Sequence, residues 1–277
     1  DAISDKTRAI FSVPIYGNPC EMDDIISICK KYNLMLIEDC CESMGAKYRN
    51  KYVGSFGRVA SFSFYYSHHI TTLEGGICVT DDHDLSEMMR IVRAHGWVRQ
   101  VENKEKWTNL YEDFDPKFLF VNDGYNLRIT EPQAAMGLLQ IDKIDDFIKA
   151  RQGNAKKYFT DLESLSDFFT FQVTTKNSEN THFGFPMILK NDKFFNRNEI
   201  CSFLNKNGIE TRPIIAGNLA RQPANKLFEH RISGVLNNSD HIMDNGFSVG
   251  VHQSLSNDAI YYVTGKIKEC VNSRVEE

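Results

Sequence analysis

The chain has 277 residues, of which 42% are hydrophobic and 25% are charged, and its formal net charge at pH 7 is -5. This length allows a sizeable core in one or two domains, and the acidic balance excludes a broad basic surface for nucleic acid. No apolar run approaches the roughly 20 residues that a membrane-spanning helix needs. The seven cysteines are scattered without a C-x-x-C pair, so no disulfide framework or metal site is predicted, and a reducing cytoplasm is the expected compartment.

The start of the chain predicts a strand, a helix and a second strand. Residues 9–13 form a short apolar run, and residues 21–33 have helical spacing with acids at the start and lysines at the end, as the helix dipole favours. Residues 34–37 form the unbroken apolar run typical of a strand buried on both faces. Ligands of parallel sheets bind beyond the carboxyl ends of the strands, where Asp39 stands. A helix N-cap is the alternative interpretation of Asp39.

Two further predicted strands, residues 60–64 and 77–80, flank a loop that contains His68 and His69 and ends in a glycine pair. The pattern alone fits either a functional loop or a plain hairpin with two surface histidines. Residues 84–95 have the spacing of an amphipathic helix. Residues 96–124 are predicted to be irregular, and a loop of that length is typical of a functional segment or an interface.

The second half of the chain predicts a long helix followed by shorter strands and helices. Thr130 suits the N-cap and Pro132 an early helical position, and this helix is expected to run on through residues 158–165 and to bridge two domains. Beyond it the sequence predicts the strand 183–189, the helix 197–207, a turn and strand at 208–213, and the helices 239–245 and 258–271. The fold class is α/β, divided into domains at 1–145 and 167–277 with a bridging helix at 146–166.

Several stretches in order along the chain resemble the DegT/DnrJ/EryC1/StrS sugar aminotransferases, which use pyridoxal phosphate on the aspartate aminotransferase fold. The stretches that carry the resemblance are residues 13–19, 37–45, 61–76, 124–135 and 208–213. It implies a large cofactor-binding domain with a mainly parallel sheet, followed by a small C-terminal α/β domain. It also implies that the N-terminal part of the large domain, with a phosphate cradle and a stacking aromatic residue, is missing from this sequence.

His68 stands where this family ordinarily has the lysine that forms a Schiff base with the cofactor. Imidazole forms no stable link of that kind, so the resemblance implies pyridoxal or pyridoxamine phosphate held without a covalent bond. Histidine here is similar to the sugar 3-dehydratase branch, and so are residues 216–223 and 249–252. That branch removes the C3 hydroxyl of a nucleotide-linked 4-keto-6-deoxyhexose, with glutamate as amino donor, for the 3,6-dideoxysugars of lipopolysaccharide O-antigens.

Within this branch the cysteine pattern favours the type that acts on GDP-4-keto-6-deoxymannose. The type that acts on a CDP-sugar carries an iron–sulfur cluster on four cysteines, and Cys41 would match the first of them. No cysteine follows between Trp97 and Thr130, where the other three would lie. Since four thiolates normally hold such a cluster, none is expected here.

The resemblance also assigns roles to the site residues. His68 would be the catalytic base, with His69 as an alternative, and Asp39 would pair with the pyridine nitrogen of the cofactor. Glu42 would contact the ring oxygen or order the site. Ser63 would bind the cofactor phosphate, and Asn126 would reach the same phosphate from a neighbouring subunit, which implies a homodimer with shared active sites.

Arg128 and Arg212 are the predicted partners of an anionic group, because arginine binds carboxylates and phosphates with two parallel hydrogen bonds. That group would be the glutamate carboxylate or the diphosphate of the sugar nucleotide, and ordinary surface salt bridges are the alternative. Two other functions stay open. One is an ordinary aminotransferase that uses Lys47 or Lys51, and the other is a fold-retaining partner without catalysis.

Overall fold

The computed structural model of the protein describes residues 1–190 and 196–275. The strands are β1 (Ala9–Ser12), β2 (Met35–Asp39), β3 (Lys47–Tyr48), β4 (Lys51–Tyr52), β5 (Val59–Ser63), β6 (Gly76–Val79), β7 (Phe169–Phe171), β8 (Ser178–Glu179), β9 (Phe185–Leu189), β10 (Arg212–Pro213) and β11 (Gly246–Val249). The helices are α1 (Met22–Tyr32), α2 (His83–Val92), α3 (Lys104–Leu110), α4 (Glu131–Ile141), α5 (Ile144–Leu162), α6 (Arg197–Lys206), α7 (Asn237–Asn245) and α8 (Asn257–Val275).

The first sheet has the order β1-β2-β5-β6 and confirms the predicted strand–helix–strand unit. β1 pairs with β2, and β2 with β5, in parallel, whereas β5 and β6 are antiparallel. α1 connects the first two strands and ends at Tyr32, and Asn33 caps it with a left-handed φ of 52°. Asp39 is the register partner of Ser61. Because register partners share a face, these two side chains lie on one face at the carboxyl edge of the sheet.

The prediction that β2 is buried on both faces is wrong. Leu36 and Glu38 are buried, but Met35, on the other face, is 41% exposed, and Phe11 of the neighbouring strand is 61% exposed. The described residues cover only the face that carries Leu36 and Glu38. The unbroken apolar run therefore does not distinguish a strand covered on both faces from this half-covered one.

Two predictions about helices are also corrected. α4 follows the predicted N-cap, Thr130, whose N–H donates to Gln133 Oε1 at 3.0 Å, but the helix ends at Ile141 instead of running on through residue 165. The break is a tight turn in which the Lys143 N–H donates to the Gln140 carbonyl at 3.0 Å. α5 then starts with two acids in its first turn, which the helix dipole favours. Residues 96–124 are not irregular throughout, because they contain α3. The Asn103 side chain caps the start of this helix.

The second sheet has the order β10-β11-β9-β7 and is antiparallel throughout. The largest hydrophobic cluster packs this sheet against α5, α6 and α8, with Tyr158, Phe185, Leu204, Phe247 and Ile267 among its buried members. A small sheet, β4-β3-β8, joins the segment after β2 to the segment before β9. Within the described ranges, no helix is long and apolar enough to cross a bilayer. The division into domains near residue 145 stays a prediction.

Candidate active site

Asp39 ends β2 and faces the neighbouring strand β5. Its Oδ1 accepts hydrogen bonds from the backbone N–H of Cys41 at 3.1 Å and from the hydroxyl of Ser61 at 3.5 Å. The bond to the residue two positions on is an Asx turn rather than a helix N-cap, and no helix begins at Asp39. The carboxylate is half-buried and fixed in direction at the carboxyl edge of the sheet.

The Cys41 thiol beside Asp39 is a neutral group. Burial raises the pKa of Cys41 to about 12, and the neighbouring Asp39 carboxylate adds to this rise. Its sulfur lies 3.9 Å from the Ser61 hydroxyl oxygen. Cys41, which the resemblance matched to the first iron–sulfur ligand of the CDP-sugar type, is therefore a neutral thiol next to a carboxylate.

His68 lies in the loop between β5 and β6, and its Nδ1 is 2.6 Å from the carbonyl oxygen of Cys41. A carbonyl only accepts, so Nδ1 carries the proton of the neutral ring and Nε2 is left as the basic nitrogen. The pKa of His68 is lowered chiefly by burial and further by the charge of Arg151, while the Cys41 carbonyl and Asp39 oppose this. A half-buried, neutral imidazole can accept a proton at Nε2.

His69 occupies a different environment from its neighbour. It is 1% exposed, and burial lowers the pKa of His69 to about 3. Its ring packs 5.9 Å from that of Phe183, which also lies 4.9 Å from the ring of His68. The loop thus places one imidazole in the core and the other at the edge of the site.

Glu42 is bonded to the backbone of a distant segment. Its Oε2 accepts the N–H of Tyr16 at 2.9 Å, and burial raises the pKa of Glu42. Tyr16 has a left-handed φ of 57° and donates its hydroxyl to Ser248 on β11 at 2.8 Å. The contact fixes the Glu42 carboxylate against the segment around Tyr16, and the role of Glu42 toward a cofactor stays a prediction.

The remaining predicted residues are divided between the site and the surface. The Ser63 hydroxyl ends β5 on the same face as Ser61 and accepts the N–H of Tyr65 at 3.1 Å. Asn126 and Arg128 are exposed and bond to each other, with the Asn126 Oδ1 accepting from Arg128 Nε at 3.3 Å and Nη2 at 3.0 Å. Within the described ranges, neither forms a hydrogen bond to Asp39 or His68.

A pocket of about 880 Å³ opens beside the histidine loop, lined by Tyr66 and Ser67 of that loop and by Phe183. Two guanidinium groups line it as well. Arg212 is exposed and forms an ion pair with Glu210 at 2.5 Å, whereas Arg151 is only 2% exposed. Sequence reasoning did not find Arg151, because it lies within an ordinary helical pattern. The pocket combines an apolar wall with positive charge, which suits a substrate that has an anionic group.

The fold places this chain among the α/β proteins of the aminotransferase type. The solved structure of Escherichia coli GDP-4-keto-6-deoxy-D-mannose-3-dehydratase with bound hydrated PLP matches with a TM-score of 0.87 at 37% identity, over 96% of this chain and 68% of that one. The sequence profile of the DegT/DnrJ/EryC1/StrS aminotransferase family matches residues 1–268, and the chain belongs to this family.

Two relatives cover nearly the whole chain. GDP-4-keto-6-deoxy-D-mannose 3-dehydratase of Escherichia coli O55:H7 is 39% identical over 271 residues, which are 97% of this chain and 69% of the relative. Lipopolysaccharide biosynthesis protein RfbH of Salmonella typhimurium is 35% identical over an alignment of 280 positions, which covers 97% of this chain and 64% of the relative. The chain therefore spans about two thirds of the length of these relatives.

Proposed function

We propose that this chain belongs to a nucleotide-sugar 3-dehydratase, which removes the C3 hydroxyl of a GDP-4-keto-6-deoxymannose-type substrate with glutamate as amino donor. The observation that carries the proposal is the hydrogen bond between His68 Nδ1 and the Cys41 carbonyl. It leaves a basic nitrogen at the position where the resemblance expects the lysine of the aminotransferases. The similarity to GDP-4-keto-6-deoxy-D-mannose 3-dehydratase along nearly the whole chain supports the same function.

The donor set at the edge of the first sheet fits a pyridoxal or pyridoxamine phosphate. Asp39 offers a fixed carboxylate for a protonated ring nitrogen, and Ser63 offers a hydroxyl for the phosphate from the same sheet face. Glu42 orders the segment around Tyr16. When bound, the cofactor supplies an electron sink, which its protonated ring strengthens. No side chain of this set provides an amine for a covalent link, so the cofactor would be held by these polar contacts.

His68 would move the proton in this site. Its Nε2 accepts a proton from the reacting carbon and returns it to the departing C3 hydroxyl, while the Cys41 carbonyl keeps the ring oriented. His69 is 1% exposed, whereas His68 is half-buried, so the geometry supports His68 over His69 as the base.

The lysines of the aminotransferase alternative already have other contacts. Lys47 on β3 forms an ion pair with Glu179 at 3.2 Å, and the Lys51 ammonium on β4 lies 4.7 Å from the centre of the Phe56 ring. Both lysines belong to the small sheet rather than to the sheet that carries Asp39 and Ser63. Their placement supports the dehydratase over an aminotransferase that recruits one of them.

A homodimer with shared active sites is part of the proposal. Asn126 and Arg128 are exposed, and so are the apolar side chains of Leu127, Leu138 and Leu139, each more than two thirds exposed. A second subunit that covers this surface would receive Asn126 near its cofactor phosphate. Arg128, and Arg212 at the pocket, would then be available to an anionic group of glutamate or of the sugar nucleotide.

The test uses protein expressed from the complete coding sequence with pyridoxal phosphate, glutamate and GDP-4-keto-6-deoxymannose. Mass spectrometry should find a sugar that has lost one oxygen, together with free ammonia. His68→Asn should abolish turnover and keep the cofactor absorbance, whereas the exposed His230→Asn serves as the matched control. A product with a new amine at C4 would contradict the proposal and favour an aminotransferase. Without any product, a CDP-linked substrate would be tried next.

A further inference from the structure

Arg151 on α5 is a buried cation that pairs with no carboxylate of the described residues. It is 2% exposed, its Nε donates to the Gln253 side-chain carbonyl at 3.0 Å, and its Nη1 donates to the Phe183 backbone carbonyl at 3.1 Å. Among the residues that the structure describes, no carboxylate forms an ion pair with it, and burial lowers the pKa of Arg151 to about 10. An unpaired buried charge is costly for stability, so its presence at the pocket calls for another reason.

Arg151 fixes the residue against which both histidines pack. The Phe183 carbonyl that it holds belongs to the residue whose ring contacts His68 and His69. The Phe183 N–H is bound in turn by the Tyr16 carbonyl at 3.1 Å. The backbone of Phe183 is therefore held on both sides, and the wall behind the His68 imidazole is set by the position of the guanidinium.

The charge of Arg151 acts on the same imidazoles. A nearby cation disfavours a second positive charge, and Arg151 contributes to the lowered pKa of His68, His69 and His252, after burial in each case. His182 is different, because burial alone lowers its pKa to about 4. The titratable and charged groups that face His68 are Asp39 at the end of β2, Cys41 after this strand, Tyr65 and His69 in its own loop, and Arg151 of α5.

We propose that Arg151 is a positioning residue for His68. Arg151 seats Phe183 behind the imidazole, and its buried charge keeps the His68 ring in the neutral, proton-accepting form. This inference rests on the proposed function, in which His68 is the base. An arginine with only a structural role would hold Phe183 but would not favour the neutral form of the His68 ring.

The test is an NMR titration of the histidine ring carbons in protein from the complete coding sequence, without substrate, with signals assigned by single His→Asn variants. Arg151→Gln removes the charge, while its amide nitrogen, which reaches as far as the arginine Nε, keeps a donor for Gln253. It should shift the His68 midpoint to higher pH. Arg151→Lys keeps the charge and should restore a midpoint close to that of the unsubstituted protein. The His182 midpoint should stay unchanged in both variants.

Gln253→Glu provides a second route that leaves Arg151 in place, should Arg151→Gln fail to fold. It sets a carboxylate against the guanidinium, so the His68 midpoint should again rise. A His68 midpoint that moves no more than that of His182 in the folded variants would overturn the inference.

Activity distinguishes this inference from the proposed function. In active protein, the acid limb of the kcat/KM profile should move to higher pH in Arg151→Gln and not in Arg151→Lys. If the protein does not dehydrate the sugar but the His68 midpoint responds as stated, the proposed function is refuted and the influence of Arg151 on His68 stands. If the protein dehydrates the sugar but the His68 midpoint does not respond, only the role of Arg151 is refuted.

Discussion

Gln140 on α4 binds the backbone of Thr71 with both ends of its side-chain amide. Its Oε1 accepts the Thr71 N–H at 2.9 Å, and its Nε2 donates to the Thr71 carbonyl at 3.0 Å. Thr71 follows His68 by three residues in the loop between β5 and β6. A second amide, that of Gln133 at the start of the same helix, donates to the Glu74 carbonyl at 2.7 Å. The loop that carries His68 is thus held by α4 as well as by the pairing of β5 with β6 at its base.

Gln140→Leu should loosen this loop. The substitution leaves the Thr71 N–H and carbonyl without partners, and unsatisfied buried backbone groups cost about 1–3 kcal/mol of unfolding free energy. Urea unfolding measures the loss. Lys149→Ala, at an exposed position of α5, is the control and should change the free energy by less than about 0.5 kcal/mol. Equal effects of the two substitutions would contradict the prediction.

Glu38 stabilises the turn that leads into β5. It is 1% exposed, and its carboxylate accepts the N–H groups of Gly54, Phe56 and Gly57 at 2.8, 2.8 and 2.6 Å. Glu38→Gln turns one of these acceptors into a donor that faces a donor, and it should lower the unfolding free energy by roughly 1–3 kcal/mol.

Glu21→Gln is the matched control for that change, because Glu21 is exposed and its side chain forms no capping hydrogen bond with α1. Chemical denaturation should find it neutral within about 0.5 kcal/mol. A neutral Glu38→Gln would mean that the turn does not depend on the negative charge of this carboxylate.

The parts of the fold that the sequence could predict have local causes. The acids and lysines of α1 and the N-cap at Thr130 lie within one helical turn of what they stabilise, and both are where the sequence places them. The position of Asp39 could be predicted as well, because it follows directly from the end of a strand. Each of these signals is contained in a few consecutive residues.

The contacts that organise the site join segments far apart in the chain. Glu38 binds backbone groups 16 to 19 residues away, His68 binds the carbonyl of Cys41 27 residues before it, and Arg151 binds Phe183 32 residues after it. A side chain that bonds to a distant backbone leaves no periodic pattern. For the same reason the sequence could not separate His68 from His69, of which only His69 is fully buried.

Stability should fall as the pH drops below the ordinary range of histidine. Burial lowers the pKa of His182 from 6.5 to about 4, so between these values the unfolded chain binds a proton that the folded chain does not. The stabilising neutral form is fully present above pH 6.5 and its contribution is lost as the pH falls toward 4. His69 acts in the same direction, with a pKa lowered to about 3.

His182→Asn isolates this effect, because asparagine tolerates the left-handed φ of 49° at this position. Urea midpoints measured from about pH 7 down to about pH 4.5 should fall less steeply in the variant than in the unsubstituted protein. His230→Asn, at an exposed site, should keep the original slope. Parallel curves for His182→Asn and the unsubstituted protein would show that its protonation is not linked to unfolding.

Tyr16 connects the Glu42 segment to the second sheet, and a double-mutant cycle can measure that connection. Its hydroxyl donates to Ser248 at 2.8 Å, and burial raises the pKa of Tyr16 to about 12, so the phenol stays neutral at ordinary pH. Tyr16→Phe and Ser248→Ala should each destabilise the protein, and their coupling free energy should be about 0.5–1.5 kcal/mol. The coupling should be equal at about pH 7 and pH 9, since no ionisation intervenes. Strictly additive effects would mean that the hydroxyl pair does not join the two segments, and that the contact between Glu42 and the Tyr16 backbone orders the site without help from β11.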